Sequence, residues 1–458
     1  MLLTKCPLWC IIKGEEVEKG MNKIKVIDSP CGFGKSSYAI QYINSLDIDE
    51  KVIYITPFLS EVERIRNECR AKRIYTPSAG RGAGSKMRDL IQLIREGKNI
   101  ASTHALFTNI NDELIEALKE SNYILILDEV INVINKIDMY GDNDKLSEIQ
   151  RDKYTKEDID TMIKQNIISV AADGLVTWNS EDNMLNKYSD LKSLADRGLV
   201  YYISNALLIW TFPVEIFFNG IFKDIFILTY EFENQIQAYY YRYFGVEYEK
   251  YIVQNTGDRH YKLLPYDENL GYDLEWRDNI KGLIHICDKA QLNKIGSYKN
   301  TKSGKNKTAL SAAWYAKANP EDLKQLSNNV NNYFRNYVLC KNSEEMWTTY
   351  KEYKTKFTGK NIAKDGWVEC GCRATNQYSD KTELAYLVNR YYNPFYSAFF
   401  SHKGIKIDND AFALNEMIQW IFRSAIRNGK PIDIYIPSER MRKLLIEWLN
   451  GANLGVTK

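Results

Sequence analysis

Lys23-Ile24-Lys25-Val26-Ile27-Asp28-Ser29-Pro30-Cys31-Gly32-Phe33-Gly34-Lys35-Ser36 is the stretch that decides the fold. Its first half is a short apolar run that stops abruptly at Ser29-Pro30, and Ser36–Asn44 then reads as a helix. A Gly-rich turn between a strand and a helix lets backbone N–H groups approach phosphate oxygens, while the helix N-terminus favours anions. Lys35 can reach the β- and γ-phosphates, and the Ser36 hydroxyl can ligate Mg²⁺. Ser29 stands where the strict phosphate-loop pattern has Gly. The loop residues Ser29, Pro30, Cys31, Gly32, Phe33, Gly34, Lys35, Ser36 and Ser37 are the expected nucleotide contacts.

Further apolar runs follow at Val52–Ile55, Ile100–Ser102, Tyr123–Leu127 and Ile225–Leu228, with helical stretches at Ser60–Ala71 and Asn111–Glu120. Alternation of this kind predicts a parallel sheet covered on both faces. Tyr123–Leu127 ends in Asp128-Glu129. At the carboxyl edge of a strand, Asp128 can bind the Mg²⁺ shell and Glu129 can orient and deprotonate an attacking water. A second alternating section starts near Lys281, with expected strands at Leu283–Cys287, Trp367–Cys370 and Ile432–Ile436. Glu321–Phe357 reads as mainly helical. Residues 135–197 read as a polar insertion, followed by a hairpin turning at Ser204-Asn205 and a helix from Pro213 to Phe222. Residues 231–280 are a connecting segment, and residues 1–20 a leader.

Ala413–Arg427 has the apolar stripe of a core-facing helix, on which Gln419, Arg423 and Arg427 recur every four residues and would stack in one line. Two arginines facing a cleft suit the charge of a γ-phosphate transition state.

Together these motifs resemble superfamily 2 helicases of the D-E-x-x group, most closely the phage-encoded ones, over residues 21–134, 199–230 and 281–440. Phe422 departs from the family's Gly, and Arg427 falls one residue late. The resemblance implies an α/β fold of two RecA-like P-loop NTPase domains in tandem (21–230 and 281–458) with a helical/β insertion. ATP and Mg²⁺ are the implied cofactors and ATP hydrolysis the implied activity. Thr229, Thr375 and Asn376 fall where coupling motifs are expected. Thr56, Pro57, Thr103 and His104 fall where the family contacts the nucleic-acid backbone.

Composition bounds the rest. The chain has 458 residues, about three domain equivalents, with 45% hydrophobic and 26% charged residues and a net charge of +2. No global basic field advertises a polyanion, so nucleic-acid contact must be local. Residues 281–307 carry seven lysines against one aspartate, and Lys299, Lys302 and Lys305 are the expected phosphate contacts. A mean hydropathy of −0.41 argues against a membrane protein. Eight cysteines and four histidines show neither a disulfide framework nor metal-ligand spacing. The expectation is an ATP-driven helicase or translocase in the cytoplasm, that of a bacterial host if phage-encoded, acting on DNA more than RNA and working with replication proteins. A packaging motor, a P-loop kinase and an ATP-gated scaffold are the alternatives.

Overall fold

The computed structural model describes residues 24–80, 84–137, 139–140, 154–180, 188–205, 207–218, 220–267, 272–301, 304–357, 362–371 and 377–451. The expected leader and Lys302, Thr375 and Asn376 lie outside them. The described chain divides into two compact units. One holds Ser36–Tyr251 and Asn393–Ile407 together with the strand Ile24–Ile27; the other holds Asp28–Lys35, Ile252–Tyr392 and the residues from Asp408 onward.

The first unit contributes most strands of a parallel-rich sheet. Its strands are β1 (Ile24–Asp28), β2 (Lys51–Thr56), β3 (Ile74–Tyr75), β4 (Asn99–Thr103), β5 (Tyr123–Asp128), β9 (Phe222–Thr229), β10 (Tyr248–Gly257) and β11 (His260–Pro265), in the spatial order β11-β10-β1-β9-β5-β2-β4-β3. All six residues of β5 are buried, as a central strand covered on both faces requires. Helix α1 (Lys35–Ser45) runs back from the carboxyl end of β1. Its Tyr42 packs on Phe226 of β9 with ring centroids 5.0 Å apart, and Lys25 of β1 pairs with Asp224 at 3.0 Å. The amino-terminal halves of β1 and β9 thus lie side by side, and β9 runs parallel to β5. The strands ending at Asp28 and Asp128 therefore open on the same edge, one strand apart.

The segment expected to be only a connector joins this sheet: Ile24–Ile27 pairs in parallel with Tyr248–Tyr251. Ahead of it, α5 (Ile236–Phe244) carries Tyr243, which stacks on Phe399 at 4.5 Å. The hairpin strands β7 (Val200–Ile203) and β8 (Leu207–Thr211) pair in antiparallel register, and β8 pairs with β6 (Ile134–Lys136). Ser204 and Asn205 have φ of +54° and +51°, the left-handed pair that a two-residue hairpin turn needs. The insertion has its own core, with Ile159, Met162, Trp178 and Leu191 against Val200 and Leu208.

The second unit contains a four-stranded sheet of β12 (Ile284–Ile286), β13 (Glu345–Thr348), β14 (Glu383–Tyr386) and β15 (Ile432–Tyr435) in the order β12-β15-β14-β13, every neighbour parallel. Two parallel α/β sheets in tandem, with an insertion, is the organisation expected of paired RecA-like domains.

Several local expectations are corrected. Pro213 introduces a single 3₁₀ turn, Val214–Phe217, because β9 extends back to Phe222, which pairs with Tyr123 at the start of β5. The helical reading of 321–357 holds for Pro320–Asn332 but overlooks β13. Polar ends hide that strand, yet Glu345 is fully buried and ion-paired with Arg335. Among the described residues Trp367 makes a single bridge, to Trp347, on the edge of β13 away from β14. The helix expected over 413–427 instead spans Asn409–Ile421. The Ser424 hydroxyl donates to Ile421 O at 2.7 Å and the Ala425 N–H to Lys381 O at 2.8 Å. These bonds draw the chain out of the helix.

Candidate active site

The phosphate loop leaves β1 through Ser29, whose side chain is fully buried. Its hydroxyl oxygen accepts the Val253 N–H at 2.8 Å. The residue that departs from the expected Gly thus ties the loop to β10, a role invisible in the local sequence. Gly32 and Gly34 have φ of +87° and +89°, left-handed conformations that glycine adopts without a Cβ penalty. A Cβ on Gly32 would meet nothing within 4 Å, whereas one on Gly34 would overlap the Tyr261 ring. Lys35 donates to Ser29 O at 2.6 Å and Pro30 O at 3.1 Å. Its ammonium group is therefore drawn over the loop by two neutral carbonyls. Loop N–H groups, a helix start and an ammonium group are the elements from which an anion site can be built. Phe33 packs edge-on against Trp276 at 5.8 Å, and Trp276 packs on Phe422 at 4.9 Å. The Phe that replaces the family Gly before Arg423 is therefore part of an aromatic ladder that begins in the phosphate loop.

At the end of β5, Asp128 is 6% exposed. Burial, and secondarily the neighbouring Glu129, push its carboxyl group up to about 7. The Tyr54 hydroxyl lies close enough to oppose that rise, although it makes no hydrogen bond of ordinary geometry. Glu129 sits at φ +71°, unusual for a residue with a side chain, and its N–H donates to Leu228 O at 2.8 Å. Neighbouring β9 thereby holds the strained turn in place. The Thr229 hydroxyl donates to Glu129 Oε2 at 3.2 Å, and Gln235 Nε2 donates to Thr229 Oγ1 and Tyr230 O, each at 2.7 Å. Sequence reasoning named Thr229 but missed Gln235, which follows β9 in no recognisable pattern. Among the described residues no group of three His, Cys, Asp or Glu side chains could hold a metal by itself. Asp128 and the Ser36 hydroxyl suit Mg²⁺ only where phosphate and water oxygens complete the shell.

The expected nucleic-acid residues fare differently. Thr56 is fully buried at the end of β2, so its side chain presents nothing to a ligand. Pro57, which follows it, is partly exposed. Thr103 and His104 are partly exposed, but His104 Nε2 lies 2.9 Å from Asp128 O, which gives the imidazole a place in the carboxylate turn. Lys299 and Lys305 lie on a short antiparallel hairpin, Lys299–Thr301 with Gly304–Asn306, where a plain loop was expected.

In the second unit the expected arginine line does not form. Gln419 is on the helix and donates to Asn415 at 2.9 Å, Arg423 is buried beyond its end, and Arg427 is exposed on a 3₁₀ turn. Arg423 lies near Cys370, whose thiol burial pushes up to about 11. Cys370 Sγ is 3.0 Å from the Tyr386 hydroxyl, and Arg390 pairs with Glu416 at 3.3 Å.

Residues 149–210 match the YonV middle domain and residues 278–449 the YonV C-terminal Rossmann-like domain. The SPbeta prophage-derived protein YonV of Bacillus subtilis (strain 168) is 39% identical over 440 residues, covering 94% of this chain and 100% of YonV. The chain belongs to the YonV family. Among solved structures, one titled XPD_APO aligns with 93% of this YonV-family chain and 96% of its own at 12% identity and a TM-score of 0.47. S. tokodaii Xpd4 aligns with 93% of this chain and 94% of its own at 13% identity and a TM-score of 0.38. No helix of the described residues is long and apolar enough to cross a membrane.

Proposed function

We propose that this YonV-family chain binds ATP with Mg²⁺, hydrolyses it, and uses the cycle to move along or open nucleic acid, DNA more than RNA. One observation carries the reading: a glycine-rich loop with its lysine follows β1, and the Asp128-Glu129 pair ends β5, one strand away on the same sheet edge. Lys35 neutralises the β- and γ-phosphates, and Ser36 and Asp128 hold the cation. When bound, Mg²⁺ supplies charge neutralisation on the phosphates. Glu129, fixed by the Leu228 carbonyl and the Thr229 hydroxyl, orients the attacking water and takes its proton. Arg423 and Arg427 are the candidates for stabilising charge on the transferred phosphoryl group. The Gln235–Thr229–Glu129 chain supports a link between the hydrolytic carboxylate and the segment after β9. Lysines of the 299–305 hairpin, Pro57 and Thr103 are the proposed backbone-phosphate contacts.

ATP turnover of the purified chain, with and without single- and double-stranded DNA and RNA, tests this. Nucleic acid should stimulate turnover, and Lys35→Ala should abolish it. Wild-type turnover in Lys35→Ala removes the site assignment, whereas turnover indifferent to every nucleic acid leaves an ATPase without the motor function.

A further inference from the structure

Beside the phosphate loop lies a cavity of about 300 Å³ that no motif of the sequence reading uses. This is about the lower end of the size range for small-ligand sites. One wall is Gly32 and Phe33 of the loop; the others come from the hairpin β10–β11, with Ile252 and Leu264 as apolar surfaces, Tyr261 as a second aromatic one, and Gln254 and Asn255 as the polar groups. Both amide residues are exposed and Tyr261 is partly so, leaving their polar atoms within reach of a ligand. The Tyr261 ring is held against the loop because Gly34 has no side chain. The hairpin in turn is anchored to the loop by the bond from Val253 N–H to Ser29. Cavity and anion site are therefore two parts of one construction.

We propose that this cavity is the base-recognition site of the nucleotide, and that it selects adenine over guanine. The inference rests on the reading of Ser29–Ser36 as a phosphate loop and adds the part of the ligand which that loop does not touch. An apolar slot with the aromatic side chains of Tyr261 and Phe33 and two carboxamides is suited to a flat heterocycle, stacked on its face and read along its edge. A carboxamide offers one donor and one acceptor side by side, the complement of the N6 amino group and ring nitrogen of adenine. Guanine presents an acceptor at the equivalent exocyclic position. Asn255 Oδ1 already accepts the Gly257 N–H at 3.0 Å, so Asn255 is set to donate through its amide nitrogen. Gln254 is then the residue that reads the donor and acceptor pair.

Calorimetric titration of the full chain with ATP, GTP and inorganic tripolyphosphate, all with Mg²⁺, separates base from phosphate. ATP should bind at least about tenfold more tightly than tripolyphosphate, since stacking on one aromatic side chain is worth roughly that factor or more. Tyr261→Ala should bring ATP down to the tripolyphosphate level without changing tripolyphosphate, and Tyr261→Phe should retain the wild-type preference. Gln254→Ala should narrow the gap between ATP and GTP. Equal binding of ATP and tripolyphosphate by the wild type, or an ATP preference that survives Tyr261→Ala, overturns the base site while leaving the phosphate loop standing. If tripolyphosphate itself does not bind, the phosphate-loop reading fails and this inference falls with it.

Discussion

Gly32 and Gly34 share a backbone conformation but not an environment, and this makes them a matched pair for a quantitative test. Their φ angles, +87° and +89°, impose on any L-residue a strain of about 1–2 kcal/mol. Gly32→Ala should cost only that, because its Cβ would project into open space. In Gly34→Ala the methyl group overlaps the Tyr261 ring, and displacing a packed aromatic adds about 1–3 kcal/mol. The expected destabilisation is then about 2–5 kcal/mol. Urea unfolding followed by tryptophan fluorescence suits the measurement, since Trp276 lies against Phe33 of the same loop. Tyr261→Ala combined with Gly34→Ala should recover the excess, and the coupling energy of the double-mutant cycle isolates the ring contact from the φ strain. Equal losses for Gly32→Ala and Gly34→Ala, with no coupling to Tyr261, would refute the packing of the β10–β11 hairpin on the loop.

Three further outcomes follow from the same geometry. Because the Asp128 carboxyl is pushed from 3.8 up to about 7, the fold favours its protonated form; that contribution is full below the unfolded value and is lost as pH rises through 7. Asp128→Asn should therefore unfold at higher urea than wild type above pH 7, by up to about 4 kcal/mol, and converge with it near pH 3; a difference constant with pH would disprove this. Glu129→Gln should bind ATP as wild type does while losing turnover, and Thr229→Val should weaken turnover and its nucleic-acid stimulation with little change in ATP affinity; stopped-flow binding beside steady-state turnover distinguishes the two effects. Arg427→Ala, at an exposed position, should leave stability within about 0.5 kcal/mol, so any loss of turnover there is direct, whereas Arg423→Ala should lower the thermal midpoint as well, and an unchanged midpoint would contradict its burial.

The strands and the glycine-rich turn were legible because they are written locally. Tyr123–Leu127 is an unbroken apolar run, Ser204-Asn205 is a two-residue turn between two such runs, and the loop needs glycine where φ is positive. What escaped depended on partners far along the chain. Glu345–Thr348 has polar ends and reads as a strand only once Arg335 neutralises Glu345 and the sheet closes around Met346 and Trp347. The helix carrying Gln419 stops because Lys381, forty-four residues before Ala425, accepts a hydrogen bond from it, and helical spacing alone could not register that. By itself, then, the sequence determined the alternation of elements, the glycine-rich turn after β1 and the paired carboxylates at the end of β5, all consequences of side-chain period and backbone preference over a few residues. Only the tertiary structure decided that Ser29 binds β10, that Tyr261 covers Gly34, that Thr229 and Gln235 hold Glu129, and that the two arginines part company, because a hydrogen bond or a packed ring joining distant segments leaves no period in either one.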